Sequence, residues 1–201
     1  VYARRWRPRR CSRDMVTAAR PRQTDPSLLP NRAQAERFLR ALTGEDNPTC
    51  CYQWASDDKT GPARIYPGHL TGTLGQCWER LCHLQQRGAA IWVTVNATDG
   101  RGRKKENVIA TRAWFAELDE HQDEPDGWRI SDGWPEEPLR PSIVVRSRNG
   151  FHPYWLAEPG TSPADCEPIL AGIIAKLAAD SAASDVSRVL RLPGFYQLKN
   201  P

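Results

Sequence analysis

Long apolar runs are missing from this chain, as are a phosphate-binding glycine loop and a metal-clamp cysteine pattern, and each absence removes a class of protein. No stretch approaches the roughly 18 apolar residues that a membrane span needs, so no membrane partner is expected. The Arg-rich start lacks the apolar segment of a secretion signal, which makes the cytoplasm the expected address. The absence of GxxxxGK[ST] excludes a Walker-type ATPase. Six cysteines are present, but Cys50 and Cys51 are adjacent, and Cys77 and Cys82 would stand about 140° apart around a helix at 3.6 residues per turn. Neither pair makes a ready zinc clamp, and buried thiols are the expectation. There is no internal repeat.

What is present suffices for one domain and a tail. The 201 residues are 39% hydrophobic with eight tryptophans, enough to fill a core. The net charge of +4 conceals an asymmetry. Residues 1–22 hold eight arginines against Asp14 alone, a balance of +7, leaving 20 basic against 23 acidic residues elsewhere. Residues 1–30 therefore read as a disordered basic tail able to hold phosphate without reading sequence. The folded unit is expected over residues 31–201. Because the chain begins at Val and stops just after a Pro-Gly turn and Lys199, it is expected to be a fragment of a longer protein.

Along that unit, Asn31 with Gln34 resembles a capping box, followed by apolar Phe38, Leu39 and Leu42 and a stop at Gly44. Cys50 to Ala55 reads as a strand. Thr73 and Gln76 open a second helix, with an apolar face at Leu74, Cys77, Trp78, Leu81 and Cys82 that runs to Gly88. Ala90 to Val95 is a buried strand, and Asn96 to Gly100 a turn leading into the basic loop RGRKKEN. A strand over Arg112 to Leu118 precedes an acidic surface loop over Glu120 to Arg140. Asp165 is expected to cap a helix with Pro168 at its third position, ending at Ala179-Asp180. The result is an α+β fold, helices against a largely antiparallel sheet.

Three segments carry candidate chemistry. Glu117 and Asp119 alternate along a strand, so both project to one side, about 6–7 Å apart at the backbone, within reach of one divalent cation. Their apolar lead-in, Ala113 to Ala116, places them at the end of a buried strand, where unpaired carboxylates are costly; the plainer alternative is a solvated strand end. In PSIVVRSRNGFHPYWL (141–156), a two-residue Asn149-Gly150 turn pairs Arg148 with Phe151 and Ser147 with His152, setting an imidazole beside a hydroxyl. Asp180 and Asp185 precede SRVLRLPGFYQLK, whose Arg188, Arg191 and Lys199 suit a triphosphate; basic residues that merely protect an edge strand are the alternative.

Glu117-Leu118-Asp119, Ser147 through His152, and Asp180 with SRVLRLPGFYQLK resemble, in order, the three motifs of archaeo-eukaryotic-type primases. The likeness is to the RepB-like primase and primase-polymerase domains of plasmids and phages, and covers roughly residues 31–201; TVNATDGRGRKKENV adds to it. The resemblance implies an RRM-like catalytic sheet and short-primer synthesis on single-stranded DNA from nucleoside triphosphates. It implies two divalent ions, Mg2+ or Mn2+, held by Glu117, Asp119 and Asp180, with Asp185 the rival for the third place. It further implies that His152 contacts the incoming phosphates, with Ser147 and Arg148 beside it, and that Arg188, Arg191 and Lys199 lie near the triphosphate or template. A replicative helicase in cis or trans is a candidate partner. Glu117 stands where such enzymes commonly carry aspartate. The competing readings are a non-catalytic single-stranded nucleic-acid-binding module and a rolling-circle initiator nuclease, which would need paired histidines and a nucleophilic tyrosine.

Overall fold

The computed structural model describes residues 29–57, 65–119, 140–148 and 150–198, with only the backbone given for Asp119. Lys199, Asn149 and the expected tail over residues 1–30, save its last two residues, lie outside them, as does most of the acidic segment.

Local signals place the first two helices. In α1 (Arg32–Thr43) the Asn31 side chain accepts the Gln34 amide at 3.0 Å, and Gly44 closes the end with φ 74°, its N–H on the Arg40 carbonyl. Thr73 and Gln76 form the reciprocal capping box of α2 (Leu74–Gln86). The third helix, α3 (Cys166–Leu177), departs from expectation. Asp165 makes no capping bond; the Ser162 hydroxyl instead accepts the Ala164 amide and starts a 3-10 turn that feeds the helix.

Among the described residues the strands form two four-stranded antiparallel sheets and a small extra pair. The first has the order β10 (Val189–Arg191), β3 (Ala89–Thr94), β1 (Thr49–Ser56), β2 (Gly68–Thr73). In the second, β9 (Gly150–Leu156) is central: β8 (Ile143–Arg146) pairs on one side, β6 (Ala113–Phe115) and β7 (Leu118–Asp119) on the other. The strand expected over Arg112 to Leu118 is thus interrupted at Ala116 and Glu117. The small pair is β4 (Ala97–Thr98) with β5 (Val108–Ala110), bracketing the basic loop.

One apolar core joins the helices to both sheets, with Tyr52, Ile91, Leu81, Phe115 and Tyr154 fully buried. Phe38 of α1 meets Tyr154 of β9 edge to face at 5.4 Å. Asn96, expected only as a turn residue, is buried and serves as a joint. Its side-chain oxygen accepts the Arg112 and Ala113 amides at 2.9 and 3.3 Å, and its Nδ2 donates to the Val186 carbonyl at 3.0 Å. The start of β6 and the approach to β10 are thereby tied to the segment that follows β3. Cys50, Cys51, Cys77 and Cys166 are buried free thiols, and burial pushes each of their pKa values up.

Candidate active site

The candidate site grows out of the ladder on β9. Phe115 pairs with Tyr154 and Leu118 with Phe151, and the Ala116 amide donates to the Pro153 carbonyl at 3.2 Å. That constant register sets Glu117 opposite His152. On the other side of β9, Val145 faces His152. Directly opposed residues of an antiparallel ladder project to one face, so Glu117 and His152 continue outward the face on which Phe115 and Tyr154 are core. Asp119 pairs with Gly150, one alternation further on.

The hairpin register differs from the sequence expectation. The Ser147 amide donates to the Gly150 carbonyl at 2.8 Å, Arg146 pairs with Phe151, and His152 faces Val145 rather than Ser147. This arrangement sets Ile143 beside Tyr154 and the Arg146 guanidinium 5.4 Å over the Phe151 ring. Those contacts outweigh the turn dipeptide in choosing register. Because the slip is by two residues, Ser147 still shares the face of His152, as its diagonal neighbour.

After α3, Ala178 adopts a left-handed conformation, and the Asp180 amide then donates to the Glu117 carbonyl at 3.1 Å. Asp180 Oδ1 caps a short 3-10 turn through the Ala182 amide. Arg188 reaches the same place: its Nε and Nη2 lie 3.0 and 2.5 Å from Glu117 Oε1. Asp185, the rival acid, is engaged elsewhere. Its Oδ1 accepts the Ser187 amide and hydroxyl, both at 2.7 Å, and Lys105 Nζ lies 3.6 Å from its Oδ2. Partial burial pushes the Asp185 carboxyl up, but those hydrogen bonds and the Lys105 charge together hold it below its ordinary value. Of the two, Asp180 is the acid whose backbone meets Glu117.

A cleft of about 340 Å3 adjoins this row. Ser147, Arg148 and His152 line it on one side, Pro193 and Phe195 on the other, with Gln34 at the start of α1. The second wall is pinned by Gly194, whose carbonyl accepts the Asn31 amide at 2.8 Å and whose φ is 90°. A Cβ there would fall on the Asn31 carbonyl, so only glycine fits. Arg191 also lines the cleft, but its Nη2 and Nη1 bind Asp57 at 3.0 and 3.5 Å, and its guanidinium lies 5.3 Å over Trp92. Asp57, whose side chain is 1% exposed, accepts the Leu198 amide as well. Asp57 carries no mark in the sequence, since an acid after a strand and before Asp58-Lys59 looks like any polar turn.

No family model and no curated protein matches the sequence. Solved structures match its fold. The AEP domain of the cyanophage S-2L primase-polymerase superposes with a TM-score of 0.59 at 21% identity, covering 82% of each chain. Primase RepB' superposes at 0.61 with 15% identity, over 84% of this chain and 52% of that one. The catalytic domain of primase RepB' in complex with initiator DNA gives 0.52 and 17%, over 81% and 76%.

The fold is that of archaeo-eukaryotic-type primase domains. The divalent cation expected from the sequence would draw on Glu117, Asp119 and Asp180. Of these acids, Glu117 and Asp180 meet through their backbones, and Asp119 lies further along the same strand edge. Among the described residues no three His, Cys, Asp or Glu side chains converge. One oxygen of Glu117 is held by Arg188.

Proposed function

We propose that this chain is the catalytic domain of a DNA primase or primase-polymerase. It would make short primers on single-stranded DNA from nucleoside triphosphates in plasmid or phage replication. The observation that carries the reading is the convergence of three separated segments: Glu117 opposite His152 on the β9 ladder, with the Asp180 backbone bonded to Glu117. The fold match to primase domains, one of them solved with initiator DNA, supports the same reaction class and a DNA template.

In this reading Glu117, Asp119 and Asp180 hold two Mg2+ or Mn2+ ions. When bound, such ions lower the pKa of an attacking 3′-hydroxyl and offset charge on the departing pyrophosphate. The chain's own part is positional. His152, on the rigid central strand and lining the cleft, donates to a phosphate oxygen of the incoming nucleotide, with Ser147 and Arg148 beside it at the hairpin. Lys199, which lies outside the described residues, would add a point charge near the triphosphate. Arg188 and Arg191 would lie near the triphosphate or template, Arg188 held by Glu117 and Arg191 by Asp57. A replicative helicase in cis or trans is the expected partner, and the cytoplasm the expected location.

The test incubates the purified chain with single-stranded DNA, labelled nucleotides and Mn2+, with and without chelator. Metal-dependent short products are expected from the wild type. Asp119→Ala should make none and still bind single-stranded DNA; full activity in that variant refutes the assigned role. Binding without products would mark a non-catalytic module, and nicked DNA an initiator nuclease.

A further inference from the structure

The loop between β4 and β5 concentrates positive charge in the sequence Arg101-Gly102-Arg103-Lys104-Lys105, and its backbone is braced from within. The Asp99 carboxylate accepts the Arg101 amide at 2.9 Å and Asn107 Nδ2 at 3.3 Å. The Asn107 side-chain oxygen accepts the Lys104 amide at 3.1 Å. Two backbone bonds, Asp99 N–H to the Asn107 carbonyl at 2.8 Å and Asn107 N–H to the Lys104 carbonyl at 2.9 Å, close the ring. Gly102 is buried within it, where a Cβ would meet Asn107 Oδ1 at 2.6 Å.

Bracing of this kind holds four like charges close together, an arrangement that self-repulsion opposes unless an anion shares it. Arg101 and Lys104 stand exposed and Arg103 half-buried. Among the described residues neither Arg101 nor Arg103 has a carboxylate at ion-pair distance, and Lys104 has only a long, exposed contact of 3.7 Å to Glu106. Lys105 instead tethers the loop. Its ammonium lies 2.6 Å from Glu167 and 3.6 Å from Asp185. Asp185 in turn accepts the Arg188 amide, and Arg188 holds Glu117. The charged loop is therefore joined to Glu117 by a short chain of contacts.

We propose that loop 99–107 is a preorganised grip for the phosphodiester backbone of single-stranded DNA, with Arg101, Arg103 and Lys104 as its contacts and Lys105 as its anchor. Charges strung along a loop suit a polyanion that runs past them, whereas one triphosphate would need them to converge. That the gripped strand is the template rests on the proposed primase reading; the grip itself does not.

The experiment measures binding of a labelled single-stranded oligonucleotide by fluorescence anisotropy across a salt series, without metal or nucleotide. Arg101→Gln/Arg103→Gln/Lys104→Gln should lower the slope of log affinity against log salt by about 2, at about 0.7 for each lost phosphate contact on a single strand. Asn107→Ala keeps every cation but loosens the ring, and is expected to bind about fivefold more weakly with the wild-type slope. A triple variant with the wild-type slope overturns the grip, as does duplex DNA competing as well as single strand of equal nucleotide count. Primer synthesis is assayed on the same preparations. Loop-dependent binding without metal-dependent products would sink the primase reading and leave the grip standing, and products with loop-independent binding would do the reverse.

Discussion

Arg188 holds Glu117 through two nitrogens on one carboxylate oxygen, Nε at 3.0 Å and Nη2 at 2.5 Å. The two residues lie 71 positions apart and their side chains are 30% and 23% exposed. Glu117 thus already has an internal counter-ion, and any other cation must compete with a guanidinium for it.

Arg188→Ala removes that competitor. Mn2+ affinity, followed by titration calorimetry, is expected to rise, while primer synthesis at subsaturating nucleotide falls. The loss of stability should be on the order of 1–3 kcal/mol, between the values for exposed and fully buried pairs. If the variant binds Mn2+ no more tightly than wild type, Glu117 is not part of a cation site.

Asp57 and Arg191 form the more deeply buried pair. Arg191→Met leaves a carboxylate that is 1% exposed without its partner and is expected to cost about 3–5 kcal/mol in urea unfolding. Asp57→Asn combined with Arg191→Met should cost much less than the sum of the single changes. Additivity within about 0.5 kcal/mol would mean that the two side chains do not interact.

Asp185 makes a prediction in pH. Its pKa is depressed in the folded chain from an ordinary 3.8 by the Ser187 hydrogen bonds and Lys105, which outweigh its partial burial. The stability it contributes is therefore complete well above 3.8 and is lost as pH falls through that value towards the folded pKa. Asp185→Asn should flatten this part of the acid limb in thermal unfolding. An unchanged limb would show that Asp185 contributes nothing there.

Elements written in short-range signals were legible. The Asn31 cap, the Gly44 stop and the Thr73 capping box all act within four residues, and the structure keeps them. Strand β2 was not legible, because GHLTGT carries two glycines and no clear apolar alternation; β1 supplies its order from Thr49↔Thr73 to Trp54↔Gly68. The hairpin shows the limit of a turn signal. Asn149-Gly150 announces a turn, but the pairing of Ile143 with Tyr154 and the contact of Arg146 with Phe151 choose the register. At the site, the sequence offered Glu117, His152 and Asp180 as candidates, whereas Asp57 carried no local mark.

By itself the sequence determined the α+β class, the capped helices and the order of the acidic, histidine-bearing and basic segments, because caps and periodicities depend on bonds between near neighbours. Only the tertiary structure decided which charge meets which. Glu117 with Arg188 and Asp57 with Arg191 span 71 and 134 residues. Electrostatic and hydrogen-bond energies depend on separations of a few ångströms, and ladder register and packing set those separations rather than distance along the chain.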